Sequence, residues 1–217
     1  MHKATRIIAI RHGETAWNVE TRLQGHTDIA LNAHGTWQAE RAALALADED
    51  IAAIYTSDLS RARATAEAIA QRSSQDQARA VRPTPGLRER GFGVLEGHTY
   101  AQIAERWPDE SERWRRRDPD FAPPRGESLL QVRTRVADTV HALAQAHTGE
   151  QIVLVAHGGV LDTLYRLATG QDLQAPRTWD LGNAAINRLL WTSDSLTVVG
   201  WADTRHLDTA LLDETST

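Results

Sequence analysis

The sequence contains no cysteine and a single lysine, Lys3. Disulfide staples, thiolate metal sites and cysteine nucleophiles are excluded, so stability has to come from packing. No apolar run approaches the roughly 18 residues of a membrane span, and Arg11, His12 and Glu14 come too early to leave room for a secretory h-region. A soluble, cytoplasmic chain with no membrane partner is the expectation. The formal net charge of -5 speaks against nucleic acid as a partner, because a phosphate backbone selects basic surfaces. Several reaction strings are missing as well: there is no G-x-S-x-G elbow, no H-E-x-x-H and no P-loop, and Gly91-Phe92-Gly93-Val94-Leu95-Glu96-Gly97 misses the dinucleotide glycine spacing. Among nine histidines, no pair joins a ligand spacing to a supporting carboxylate, so neither a metal nor a cofactor is expected.

What is present is a repeated unit of buried strand and helix. Arg6 to Ile10, Ile51 to Tyr55 and Gln151 to Ala156 are short apolar runs that end in polar residues. Each precedes a helical pattern: Gly35 to Leu46, Leu59 to Gln71 and Val160 to Leu167. A further helix is predicted over Ser128 to Ala146, where Leu129, Val132, Val136, Val140 and Leu143 recur at spacings of three and four. Ala185 to Trp191 and Leu196 to Trp201 form two strands around a Ser-Asp-Ser turn. This alternation predicts an α/β fold: a three-layer sandwich with a mostly parallel central sheet, helices on both faces and an antiparallel edge hairpin. One domain over residues 1–217 is expected. Residues 86–128 break the pattern with arginines, prolines and glycines and one helix, Tyr100 to Arg106, and read as an excursion over the ligand edge. Residues 204–217 read as a C-terminal tail.

In open parallel sheets ligands sit beyond the carboxyl ends of the strands, and chemistry-bearing residues fall there. Arg11-His12-Gly13-Glu14 follows the first strand, and His157-Gly158-Gly159 follows a later one. A guanidinium fork grips phosphate oxygens while an imidazole can attack phosphorus, so the pair Arg11 and His12 suits phosphoryl chemistry. The glycines after His157 let backbone N–H groups approach an anion at a helix start, although a plain glycine turn would look the same. Arg61 lies one turn into the helix that Ser57 or Asp58 caps and can reach back over the sheet edge, whereas Arg63 is about 200° around that helix. Glu89 is the candidate general acid for an alkoxide leaving group, since a carboxyl partly buried near phosphate can hold its proton. A salt bridge from Glu89 to Arg88 or Arg90 is the competing reading.

Arg11-His12-Gly13-Glu14-Thr15-Ala16-Trp17-Asn18, Leu23-Gln24-Gly25, Ser57 to Ala66, Leu87-Arg88-Glu89, Gly126-Glu127-Ser128 and Val155-Ala156-His157-Gly158-Gly159 together resemble the histidine phosphatase superfamily, in its phosphoglycerate mutase-like branch. The resemblance runs from Arg11 to about Asn183. It implies that His12 is the nucleophile that becomes a phosphohistidine, and that Glu89 protonates the leaving oxygen and then activates water. It further implies that Arg11, Asn18, Arg61, His157 and Gly158 bind phosphate, and that Gln24 and Gly25 line the substrate side. Mutases of this branch carry an asparagine-lysine pair beyond the acid, which this chain lacks, so the implied activity is a metal-independent phosphatase of small phosphomonoesters. A cofactor-dependent phosphoglycerate mutase is the alternative, and a non-catalytic phospho-ligand binder a remote third. Arg115 and Arg116 in Trp114-Arg115-Arg116-Arg117 are similar to an arginine-bearing lid for a second anionic group, which would make the substrate an acidic metabolite. A solvated basic turn would look the same. A homodimer is the default assembly.

Overall fold

The computed structural model describes residues 3–74, 76 and 80–208. Six strands form one mixed sheet in the order β3-β2-β4-β1-β5-β6. They are β1 (Thr5–Arg11), β2 (Ala53–Thr56), β3 (Val81–Pro83), β4 (Gln151–Ala156), β5 (Ile186–Trp191) and β6 (Leu196–Asp203). The first four are mutually parallel, and β5 and β6 add the expected antiparallel edge. The helices are α1 (Ala16–Val19), α2 (Ala33–Ala45), α3 (Ser60–Arg72), α4 (Tyr100–Arg106), α5 (Pro108–Arg115), α6 (Leu129–Ala146) and α7 (Gly158–Thr169). No helix among the described residues is long and apolar enough to cross a membrane.

The central strands β1 and β4 are continuously apolar over Ile7 to Ile10 and Ile152 to Ala156 because both faces are covered there. Ile7 and Ala9 of β1, with Ile152 and Leu154 of β4, pack against Val132, Val136 and Val140 of α6 and Leu161 and Leu164 of α7. The alternate residues Ile8, Ile10, Val153 and Val155 point the other way, onto Ala43 of α2 and Ala62, Ala66 and Ile69 of α3. Each fully buried valine or leucine contributes about 1.5–3 kcal/mol of transfer free energy, which fixes the register and with it the strand ends.

Four sequence expectations are corrected. β3 went unread because it is three residues long and ends in Pro83, a pattern tolerated only at a sheet edge. The excursion holds a second helix, α5, signalled by Pro108 at its start, Asp109 and Glu110 in its first turn and Arg113 and Arg115 in its last, not by an apolar stripe. Neither Ser57 nor Asp58 is the N-cap of α3. That place falls to Leu59, and Asp28 from a distant loop accepts the Ser60 N–H at 2.8 Å. Residues 204–207 are folded: Arg205–Leu207 forms a 3-10 turn whose His206 carbonyl accepts from Arg41 Nε at 2.9 Å. Residues 209–217 of the expected tail lie outside the described residues.

Candidate active site

β1 and β4 are neighbours, and Arg11 stands opposite Ala156 in register. The chain therefore delivers His12 and His157 side by side: the His12 N–H donates to the Ala156 carbonyl at 3.0 Å, and the two rings lie 5.1 Å apart. Gly13 has to be glycine, because a Cβ there would meet the Gly35 carbonyl at 2.2 Å. Its N–H donates to Thr65 Oγ1 at 3.1 Å, tying the strand end to α3.

The His12 ring is held in one tautomer. Its Nδ1 lies 2.6 Å from the Gly13 carbonyl, which can only accept, so Nδ1 carries the proton and Nε2 the lone pair. Burial above all, then the charges of Arg61 and Arg11, holds its pKa well below the ordinary 6.5, against a smaller opposing effect of the Gly13 carbonyl. His157, fully buried, is pushed well below 6.5 by burial first, then by Arg61, His12 and Arg11. Both imidazoles are neutral at pH 7.

Arg61 is fully buried and spans from α3 to the loop after α1, donating to the carbonyls of Thr27 at 3.0 Å and Gly25 at 2.8 Å. Arg11 donates through Nη1 to the Leu181 carbonyl. Arg11 Nε, Arg61 Nε and both ring nitrogens of His157 are buried without a hydrogen-bond partner among the described residues. Such unmet polar groups are rare in folded proteins, and a tetrahedral oxyanion offers acceptors to a set of this kind. Arg63 is half exposed and paired with Glu67 at 3.2 Å, as the helix geometry predicted.

Glu89 stands over the first turn of α7. Both carboxyl oxygens accept the Gly159 N–H, at 3.0 and 3.1 Å, and Oε1 accepts the Arg90 N–H at 2.8 Å. This helix start is thus occupied by the protein's own Glu89 carboxyl group. Neither neighbouring arginine forms an ion pair with it: Arg88 Nε donates to Asp58 at 2.7 Å, and Arg90 donates to the carbonyls of Glu127 and Phe121, each at 2.8 Å. The loop is braced from behind by Arg135, which reaches the carbonyls of Gly86 and Arg88 at 2.9 Å and the Glu127 carboxylate at 2.8 Å.

These groups open into a cavity of about 660 Å³. Asn18, Gln24, Gly25 and Gly158 line it, as does Arg115, whose guanidinium is bound to Glu112. Asn18 spends its Oδ1 on the Thr15 N–H and hydroxyl, both at 3.0 Å. Arg116 is not brought in: it is turned to Glu112 at 2.7 Å, and its side chain is 74 % exposed. Residues that motif reading missed are Thr65, Asn183, which donates to the His12 carbonyl at 2.9 Å, and two cavity-lining groups, Tyr100 and Arg177. Thr65 lay in plain view one turn beyond Arg61, on the same face of α3.

A family model described as the histidine phosphatase superfamily (branch 1) matches residues 7–204. The chain is 36 % identical over 206 residues to phosphoglycerate mutase-like protein 4 of Arabidopsis thaliana, covering 93 % of this chain and 86 % of that protein. It is 35 % identical over 207 residues to a metal-independent phosphoserine phosphatase of the same plant, covering 94 % and 84 %. Among solved structures, a phosphoserine phosphatase from Entamoeba histolytica in complex with phosphoserine superposes with a TM-score of 0.83 at 28 % identity, over 94 % of this chain and 100 % of that one.

Proposed function

This chain belongs to the histidine phosphatase superfamily, branch 1, and on that premise we propose that it releases phosphate from small acidic phosphomonoesters through a phosphohistidine on His12. It is a phosphomonoester hydrolase. The observation that carries the detailed reading is the His12 ring: buried, neutral and with Nε2 left as its lone pair beside Arg11 and Arg61, whose Nε groups have no hydrogen-bond partner among the described residues.

In the first step Nε2 forms a bond to phosphorus while the ester P–O bond breaks, and Glu89 gives its proton to the leaving alkoxide. Arg11 and Arg61 offset the charge on the three non-bridging oxygens, the part a metal ion has in other phosphoryl-transfer sites. His157, in contact with the His12 ring, offers an N–H to the same group. In the second step water gives a proton to the Glu89 carboxylate and attacks phosphorus, the P–N bond breaks and orthophosphate leaves. The missing lysine supports water over a second sugar acid as the acceptor. A cysteine-free chain also suits the cytoplasm.

The test is turnover of p-nitrophenyl phosphate in the presence of EDTA. We expect phosphate release that falls at least ~10³-fold in His12→Ala. Turnover that survives this substitution would overturn the proposal. With 3-phosphoglycerate and a trace of 2,3-bisphosphoglycerate, phosphate release should exceed isomerisation, and the reverse ranking would identify a mutase.

A further inference from the structure

Among the described residues seven arginines line the cavity, and all but one of these are engaged. Arg11 and Arg61 face the phosphate position. Arg22 is paired with Glu20 at 2.6 Å and donates to the Gly97 carbonyl, while Arg90 is bound to the carbonyls of Glu127 and Phe121. Arg115 is held by Glu112, and Arg117 is clamped to Asp162 and to the Leu173 carbonyl, both at 2.7 Å. Arg177 has no hydrogen bond or ion pair with any described residue.

Its position is nevertheless built. Gly170 ends α7 in the left-handed region at φ 68°, and the chain that follows is pinned on both sides of Arg177. Ahead of it, Arg166 donates to the carbonyls of Asp172 and Ala175, the latter at 2.9 Å. Behind it, Trp179 is buried and stacked on Tyr165 at 4.2 Å, and the Leu181 carbonyl accepts from Arg11 itself. The loop that carries Arg177 is therefore braced against the arginine that faces the phosphate. Burial above all lowers the pKa of Arg11, and the Arg177 charge lowers it further; the same charge acts on Tyr100, another lining residue, so Arg177 sits within electrostatic reach of both.

We propose that Arg177 is the specificity-determining residue of this site, binding a carboxylate or second phosphate on the alcohol part of the ester. The inference rests on the phosphatase reading above and deepens it. Two guanidinium groups facing one cavity repel, and a ligand with an anion at each end relieves both, whereas an uncharged alcohol part relieves only one. Arg115, Arg116 and Arg117 do not fill this role, because each is already bound to a carboxylate, Glu112 or Asp162. The pinned loop lowers the cost of ordering the side chain on binding.

The experiment compares kcat/KM for 3-phosphoglycerate and for phenyl phosphate in the wild-type chain and in Arg177→Gln, Arg177→Lys and Arg115→Gln. Loss of one charge-assisted bond should lower the ratio of the two constants roughly ten- to hundredfold in Arg177→Gln, mainly through KM for 3-phosphoglycerate. Arg177→Lys, which keeps the charge without the fork, should recover part of the ratio. A ratio unmoved in Arg177→Gln, or one that falls in Arg115→Gln instead, overturns the assignment while phenyl phosphate turnover leaves the phosphatase reading standing. No turnover of either ester by the wild-type chain would sink both.

Discussion

At the scale of single residues, the site turns on keeping an imidazole neutral among guanidinium groups. Burial and the charges of Arg61 and Arg11 hold His12 well below 6.5, so its lone pair is available at physiological pH. The acid limb of kcat/KM, which reports the free enzyme, should therefore lie below pH 6.5, and a pH–rate profile checks this. Stability follows the same sign. Unfolded histidine binds a proton near 6.5 and folded His12 and His157 do not, so stability rises with pH through the window below 6.5 and is lost on acidification. Thermal melts from pH 7 to 5 should show this loss, and His157→Gln should reduce its slope. Arg11, His12 and His157 were legible in the sequence because strand ends announce themselves by a polar residue after an apolar run, and Arg61 because it lies in the first turn of the helix that follows such an end. Arg177 was not legible, since nothing local marks its loop. What places it is packing at a distance, by Arg166, Trp179 and Arg11.

At the scale of elements, two parallel strands in register set the distance between the histidines, and the start of α7 positions the acid. Gly159 is central to that second device. A Cβ at this position would lie 2.3 Å from Glu89 Oε1, so Gly159→Ala must push the carboxyl away while leaving the buried helix face untouched. The expected outcome is a ~10²-fold loss of kcat toward esters with poor leaving groups, where protonation matters most. Esters of good leaving groups should lose far less, and the melting temperature should change little. An equal loss on both ester types would remove Glu89 from the proposed role. Periodicity made the main strands and helices legible, since 3.6-residue and continuous apolar patterns are local. It missed α5, which is mostly charged and is anchored by its own Trp114, with Trp107 at its N-cap, in a small satellite cluster with Leu23, Phe92 and Ile103. It also missed the cap of α3, because Asp28 comes from 32 residues away.

At the scale of the whole molecule, an acidic chain concentrates positive charge in one cavity, and folding bears the cost of burying it. A bound phosphate group should return that cost. Orthophosphate at a hundred times its dissociation constant adds about 2.7 kcal/mol, which corresponds to a rise of about 5–10 °C in Tm for a domain of this size. Scanning fluorimetry with and without phosphate measures it, and Arg61→Gln should abolish most of the rise. The central claim, however, is a covalent one. The direct measurement is to mix enzyme and substrate, quench within milliseconds in alkaline denaturant, which preserves P–N bonds, and locate the phosphoryl group by peptide mass spectrometry and ³¹P NMR. The structure predicts phosphate on Nε2 of His12, since Nδ1 is committed to the Gly13 carbonyl. Phosphate on His157, or turnover with no phosphoenzyme at all, would contradict the account.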